Sequence, residues 1–145
     1  MFKHLLVPIV SEEMISKTFK HVARLVKLDQ ARVTLAHISE PIPLYMYESS
    51  AYGFQVAEDN HKQNCESYSK KLFDLASAEL GSSIKCDVCH LYNVNVFEGI
   101  VEAAKLAKVD AILMASHKRT GLKGLFMGSD TSAVIKHSKL PVLVI

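Results

Sequence analysis

The sequence has few of the features that mark membrane, secreted or nucleic-acid-binding proteins. Its apolar runs are short: LLVPIV, residues 5–10, is well below the roughly 20 residues of a membrane span and is too short for a secretory signal. The net charge is only +2 and no block of Lys or Arg occurs, which argues against nucleic acid as a partner. These absences favour a cytoplasmic protein with no membrane or nucleic-acid partner.

Cysteine is also scarce, and the odd count of three argues against a disulfide framework. Two of the three lie in CDVCH, residues 86–90, which has the spacing of haem attachment in c-type cytochromes. The surrounding SIKCDVCHLY alternates apolar positions with other residues and predicts a strand, on which Cys86 and Cys89 point to opposite faces. Their Cα atoms would be about 10 Å apart, too far for a disulfide, and one haem would need both sulfurs on one side. We therefore expect no haem and interpret these cysteines as small buried residues.

Familiar catalytic motifs are missing as well. The chain contains no P-loop and no G-x-S-x-G nucleophile elbow. The seven histidines are scattered, without an H-x-x-x-H pair on a predicted helix, so no metal site is indicated. We expect a protein that is not an enzyme, although a slow ATPase using Asp130 stays open.

What the sequence does contain is a regular alternation of short apolar runs and amphipathic segments. The order βαβαβαβαβ predicts one domain spanning residues 1–145, an α/β fold with a five-stranded, mostly parallel sheet and helices on both faces. The predicted strands are residues 3–10, 31–38, 83–92, 109–116 and 141–145. The predicted helices are residues 11–28, about 56–80, the segment capped by Asn95, and 129–140.

Residues 39–55 interrupt this alternation. Pro41, Pro43 and Gly53 predict a loop, which also contains Tyr45, Tyr47 and Tyr52. Such a loop could cover a site as a lid or join a dimer interface, and the sequence leaves both open.

Two segments follow strand ends where an open parallel sheet binds its ligands. They are PIVSEE after the first strand and ASHKRTGLKGLFMGSD after the fourth. The second combines Gly121, Gly124 and Gly128 with several cations, and Ser129 and Thr131 open a helix. Glycines and a helix N-terminus can together hold a phosphate, but a loop that enters a helix needs glycine and a serine cap in any case. Both interpretations stay open at this point.

Three segments resemble the universal stress protein family, and the resemblance extends over essentially the whole chain. They are KHLLVPIV, ARVTLAHISEP and VDAILMASHKRTGLKGLFMGSDTSAVIKHSKLPVLVI. The resemblance implies a Rossmann-like, adenine nucleotide alpha hydrolase-like fold that binds ATP or AMP. It also implies a homodimer with a regulatory role in the stress response.

The nucleotide motif is altered in this chain. ATP-binding members of the family have G-x-x-G, nine residues, and then G-S or G-T; here the spacing is kept, but Ala115 and Lys118 replace the first two glycines. Those members also have an acidic residue two positions after the strand-one proline, where this chain has Val10. We expect weakened or altered binding, in which Lys118 could replace lost amide contacts. The resemblance implies these nucleotide-binding positions: Pro8, Ile9, Val10, His37, Ile38, Ala115, Ser116, His117, Lys118, Gly128, Ser129, Asp130 and Thr131.

The closing PVLVI predicts an edge strand with unpaired backbone groups. Pairing with its copy across a two-fold axis would satisfy them and form a dimer interface, whereas a covering loop would leave a monomer. The interface residues would be Pro141, Val142, Leu143, Val144 and Ile145. A second interpretation of the whole chain is a dimeric interaction module of the same family that binds a protein partner without nucleotide, which Val10 and Lys118 favour.

Overall fold

A computed structural model describes residues 1–43, 51–115 and 128–145. Strands and helices alternate along these residues in the order that the sequence predicts. The strands are β1 (His4–Pro8), β2 (Arg32–Ser39), β3 (Cys86–Tyr92), β4 (Ala111–Met114) and β5 (Val142–Val144). The helices are α1 (Glu12–Asp29), α2 (Ala51–Leu80), α3 (Val96–Ala107) and α4 (Ser129–His137).

The strands form one five-stranded sheet in the order β3-β2-β1-β4-β5. All four neighbouring pairs are parallel, so the predicted α/β fold is confirmed and the sheet is wholly parallel. The chain winds outward from β1 to β3 and then returns to β4 on the other side of β1. The winding therefore reverses between β1 and β4, and β3 and β5 are the edge strands.

Two apolar cores lie on the two faces of the sheet, because successive strand residues point to opposite sides. Leu5 and Val7 of β1 pack with the buried side chains of α1 and α2. Leu6 faces the other core, which α3 and α4 cover. Helices thus cover both faces, as predicted, which explains why the central strands are almost continuously apolar.

Helix α1 shows how local sequence produces one of these faces. The Ser11 side chain caps the helix by accepting a hydrogen bond from the Met14 amide at 3.2 Å. The helix ends at Gln30, which adopts the left-handed conformation. Helical spacing predicts one apolar face on this helix, and the structure buries all of its residues: Ile15, Phe19, Val22, Ala23 and Val26.

Helix α2 differs from its prediction at its start. Within the described residues it begins at Ala51 rather than near 56, so Tyr52 and Gly53 are helical and not part of a loop. Burial against the core begins only at Ser69, so the first half of the helix gains little from tertiary packing. Side-chain pairs one turn apart support it instead, such as Gln55 with Asp59 at 3.0 Å. Pro41 and Pro43 lie before the helix, while Tyr45 and Tyr47 are outside the described residues.

Helix α3 approaches the sheet closely at Gly99. A Cβ atom there would meet Ile38 Cγ2 at 2.6 Å, so glycine permits the contact. Asn95 is the N-cap residue, as predicted, but its side chain makes no cap bond; the Asn93 side chain accepts from the Asn95 amide at 2.9 Å. The apolar spacing of this helix predicts that Leu106 lies on its buried side, but that prediction is wrong, since Leu106 is 62% exposed.

The cysteines of CDVCH point to opposite faces of β3, as the strand prediction requires. Cys86 packs against the core covered by α1 and α2, and Cys89 packs against the other. Cys65 lies on α2, and all three are free thiols that are half-buried, rather than fully buried as the sequence predicts for Cys86 and Cys89. The spacing of the haem motif is therefore incidental to a strand.

Candidate functional site

The candidate site is the crevice where the winding of the sheet reverses. Strands β1 and β4 are neighbours there, with Leu5 opposite Ala111 and Leu6 opposite Ile112. Their carboxyl ends lead into Ile9 and Val10 on one side and Ala115 on the other. Ligands of open parallel sheets bind at this position. The topology thus brings the segment after β1 beside Ala115, where the second segment that the sequence singled out begins.

Helix α4 brings its N-terminus to the same edge of the sheet, because it connects two parallel strands and runs back against them. Its N-cap residue is Gly128, which has no side chain, and no side chain within the described ranges 1–43, 51–115 and 128–145 caps the helix. The amides at a helix start have no partner within the helix, and they carry the positive end of its dipole. Gly128, Ser129 and Asp130 are exposed, whereas Thr131 is buried.

Helix α1 also begins at this edge, but its N-terminus is unsuited to an anion. Ser11 already occupies the Met14 amide, and two carboxylates, Glu12 and Glu13, lie in the first turn. Glu12 is paired with Lys71 of α2 at 2.6 Å. Of these two helix starts, the one that begins at Gly128 is therefore better suited to a phosphate, although the exposed carboxylate of Asp130 opposes an anion there.

The residues after β1 differ sharply in exposure. Pro8 and Ile9 are buried, and the Ile9 side chain packs in the core beneath α1 and α2. Ile38 is buried in the opposite core, beside Gly99. Val10 is 65% exposed and is the apolar side chain of this group available to contact a ligand.

His37 fixes the turn that follows β1. Its ring is buried, and Nδ1 lies 2.8 Å from the carbonyl oxygen of Ile9. Because a carbonyl only accepts, Nδ1 must be the protonated nitrogen. The Ile9 amide in turn donates to the Ala36 carbonyl at 2.7 Å. His37 was predicted to frame a base; in the structure its ring nitrogen is engaged in holding the backbone of residue 9.

A polar cluster beside His37 was missed by the sequence analysis. His90 of β3 lies opposite His37 in the strand register, and Ser39 lies opposite Tyr92. His90 contacts Ser39 of β2 and also Ser69 of α2, which packs against this part of the sheet. The alternation of polar residues at the ends of the second and third strands could have indicated this cluster. Using it would have required knowing that these two strands are paired, and in which register.

Three predicted nucleotide-binding residues, Ser116, His117 and Lys118, lie outside the described residues. Glycines 121 and 124 of the same loop do so as well. Within residues 1–43, 51–115 and 128–145, no cluster of three or more His, Cys, Asp or Glu side chains is arranged to hold a metal ion. In the same ranges, no helix is long and apolar enough to span a bilayer.

Comparison with known proteins identifies relatives over the full chain. The model of the "Universal stress protein family" matches residues 1–145. Universal stress protein MJ0577 of Methanocaldococcus jannaschii is 28% identical over 156 aligned positions, which cover 100% of this chain and 95% of the relative. A solved structure of the hypothetical protein MJ0577 matches with a TM-score of 0.76 and 29% identity, covering 100% of this chain and 96% of the other.

Two further solved structures contain adenine nucleotides. A universal stress protein in complex with cAMP matches with a TM-score of 0.64 and 14% identity, over 99% of this chain and 96% of the other. The universal stress protein of Archaeoglobus fulgidus in complex with dAMP matches with a TM-score of 0.61 and 16% identity, over 99% and 97%. At these identities the likeness shows the shared fold.

Proposed function

Because the chain belongs to the universal stress protein family, we propose that it is a cytoplasmic regulatory protein that binds an adenine nucleotide, ATP or AMP. In this proposal it acts in the stress response and has no catalytic activity of its own. The complexes of family members with cAMP and dAMP support the ligand class. The alteration of the family motif by Val10, Ala115 and Lys118 favours modest affinity.

The observation that supports the proposal most directly is the start of α4 beside the crevice, which no side chain in the described part of the chain caps. The amides of Ser129, Asp130 and Thr131 would receive the phosphates, and the helix dipole would favour their charge. Val10, which is exposed at the crevice, would provide an apolar contact for the base. Lys118 and the other residues of 115–118 would complete the phosphate site.

The test is native mass spectrometry of protein purified without added nucleotide, followed by thermal unfolding with millimolar ATP or AMP. A co-purified adenine nucleotide or a rise in Tm supports the proposal. Gly128→Ala is an informative variant, because a Cβ at this position meets no described atom within 4 Å. We expect it to weaken binding by crowding the phosphates. Asn95→Ala is the matched control, since Asn95 is the N-cap of α3 and also makes no side-chain cap bond. Absence of bound nucleotide together with no Tm shift would defeat the proposal.

We also propose that the protein is a homodimer paired through β5. This strand is an edge of the sheet, and Val144 is 39% exposed. A two-fold pairing would satisfy its free edge and bury Val142 and Val144. Val144→Glu should yield a monomer in light scattering, whereas Val88→Glu on the opposite edge strand, 57% exposed, should leave the dimer intact. A dimer that survives Val144→Glu, or a monomeric wild type, would contradict this assignment.

A second candidate function is a dimeric interaction module that works without nucleotide and recognises a protein partner. Val10 favours it, because an exposed apolar residue at the crevice provides no polar anchor for a nucleoside. Capture of a specific partner whose binding is unchanged by ATP, by a protein that holds no nucleotide, would select this function over the first.

A further inference from the structure

Two imidazole rings stack beside the crevice, at the carboxyl ends of β2 and β3. The ring centroids of His37 and His90 are 5.9 Å apart and their planes are inclined by 28°. Tyr68 of α2 meets His37 edge-on at 5.6 Å, and Tyr92 lies 4.9 Å from His90. The pair is therefore flanked by one aromatic ring from α2 and one from β3.

Hydrogen bonds through this pair link α2 to the turn after β1. Ser69 donates to the Glu66 carbonyl at 3.0 Å, so its oxygen accepts from His90 Nδ1 at 3.4 Å. His90 Nε2 then accepts from the Ser39 hydroxyl at 2.7 Å. On the other side of the stack, His37 holds the Ile9 carbonyl at 2.8 Å. In this arrangement His90 is neutral and carries its proton on Nδ1, whereas a charged ring would donate to both hydroxyl oxygens.

The described groups around His90 disfavour its charged form on balance. Burial, followed by the neighbouring His37, lowers the pKa of His90 below its usual value. Glu66 of α2 opposes this shift. The phenols of Tyr68 and Tyr92 and the Cys65 thiol also lie at the cluster, and His61 of α2 lies 3.5 Å from the Cys65 sulfur. Burial also raises the pKa of Tyr92, so the phenol stays neutral while His90 titrates.

We propose that the His37–His90 stack is a proton-sensitive positioning device, in which protonation of His90 releases the turn at Ile9 and Val10. A charged His90 has two donors, so the Ser39 hydroxyl must reverse its bond, and the half-buried charge adjoins His37. The charged His90 ring is stabilised if it moves away from His37, toward solvent and Glu66. That movement removes the ring on which His37 stacks and weakens its hold on the Ile9 carbonyl.

The effect on the turn can be measured without any ligand. The Val10 amide nitrogen belongs to the same peptide unit as the Ile9 carbonyl, so its NMR shift reports the bond that His37 donates. The experiment titrates the wild type from about pH 7.5 to 5 and follows this amide and the His90 ring together. We expect both to change with one midpoint, below the usual histidine value. The matched variant is His90→Phe, which keeps an aromatic ring in the stack but cannot titrate.

In His90→Phe the pH-dependent shift of Val10 should disappear, whereas His21→Gln, on the exposed side of α1, should leave it unchanged. His90→Gln, which keeps a polar side chain, takes the place of the Phe variant if the latter fails to fold. A Val10 amide that stays constant across the titration would overturn the proposal, and so would one whose titration persists in both His90 variants.

A second measurement rests on the proposed nucleotide binding. Between about pH 7.5 and 5.5, we expect AMP affinity to fall about fivefold more in the wild type than in His90→Phe. This is the effect of a modest coupling free energy between protonation of His90 and binding of AMP. The comparison removes the titration of AMP's own phosphate, which is common to both proteins. An equal fall in both proteins would refute the link between the stack and the ligand. Failure of both proteins to bind AMP at either pH would refute the nucleotide function alone, because the Val10 titration tests the stack separately.

Discussion

The strongest test of the site is Gly128→Asp, which should stabilise the protein and impair its binding of nucleotide. Gly128 is the N-cap of α4, exposed, with extended backbone and no side-chain cap. An aspartate there accepts hydrogen bonds from the amides of Asp130 or Thr131 and places a negative charge at the positive end of the dipole. These are the amides proposed to hold the phosphates. In the variant, the introduced carboxylate would therefore occupy the place of the nucleotide phosphate.

The size of both effects follows from the geometry. Replacing glycine by aspartate at an N-cap gains a few tenths of a kcal/mol, and the dipole adds about 0.3–1 kcal/mol. Repulsion from the neighbouring Asp130 reduces this gain, which leaves about 0.5 kcal/mol, or about 1–2 °C in Tm for a chain of this size. Loss of the amides and like-charge repulsion should cost binding about 1.4 kcal/mol or more, about tenfold in Kd.

The assay compares urea unfolding without ligand and isothermal titration with ATP or AMP for the wild type, Gly128→Asp and Asn95→Asp. Asn95→Asp adds the same charge at the N-cap of α3, whose amides are not among those proposed to hold the phosphates, and should leave binding unchanged. The reasoning is refuted if Gly128→Asp binds nucleotide as tightly as the wild type, or if Asn95→Asp loses affinity to the same extent.

Three further outcomes follow from the packing and the titrating groups. Gly99→Ala should lower the free energy of urea unfolding by about 1–3 kcal/mol, because its Cβ would meet Ile38 at 2.6 Å; combination with Ile38→Ala should be less than additive, and strict additivity would contradict the clash. Cys86 and Cys89 should react slowly with iodoacetamide at neutral pH, since burial raises the pKa of both thiols; mass spectrometry that finds them labelled as fast in the native as in the urea-unfolded protein would disprove this. Burial, then the nearby Arg32, lowers the pKa of His4, so its contribution to stability is complete above about pH 6.5 and is lost as pH falls toward the lowered value. His4→Gln should therefore narrow the difference in urea midpoint between neutral and acidic pH. If the difference is as large as in the wild type, His4 does not contribute to the pH dependence of stability.

Much of the fold was accessible from residue spacing alone. The 3.6-residue stripe of α1 and the continuous apolar runs of β1 and β2 each specify how one element is buried, because a side chain's direction follows from its place in the helix or strand. For the same reason the opposite orientations of Cys86 and Cys89 could be predicted without knowing their neighbours. The start of α2 could not be predicted in this way. The first half of that helix is supported by local side-chain pairs rather than by burial, and it lacks an apolar stripe.

The candidate site was only half accessible in this way. Gly128 before a helix and the segments after the first and fourth strands were recognisable from the sequence. Their meeting in one crevice depends on β1 lying beside β4, and these strands are separated by about a hundred residues. The exposure of Val10 and the burial of Ile9, adjacent in sequence, also depend on how the turn packs.

The sequence by itself determined which residues form helices and strands and which face of each is apolar, because these properties depend on neighbours within a few positions along the chain. Tertiary structure alone decided that Gly99 lets α3 approach Ile38, and that His37, His90 and Ser69 meet. Those contacts join residues from separate elements. Their existence depends on the strand order and on the packing of α2 and α3 against the sheet, which only the folded chain specifies.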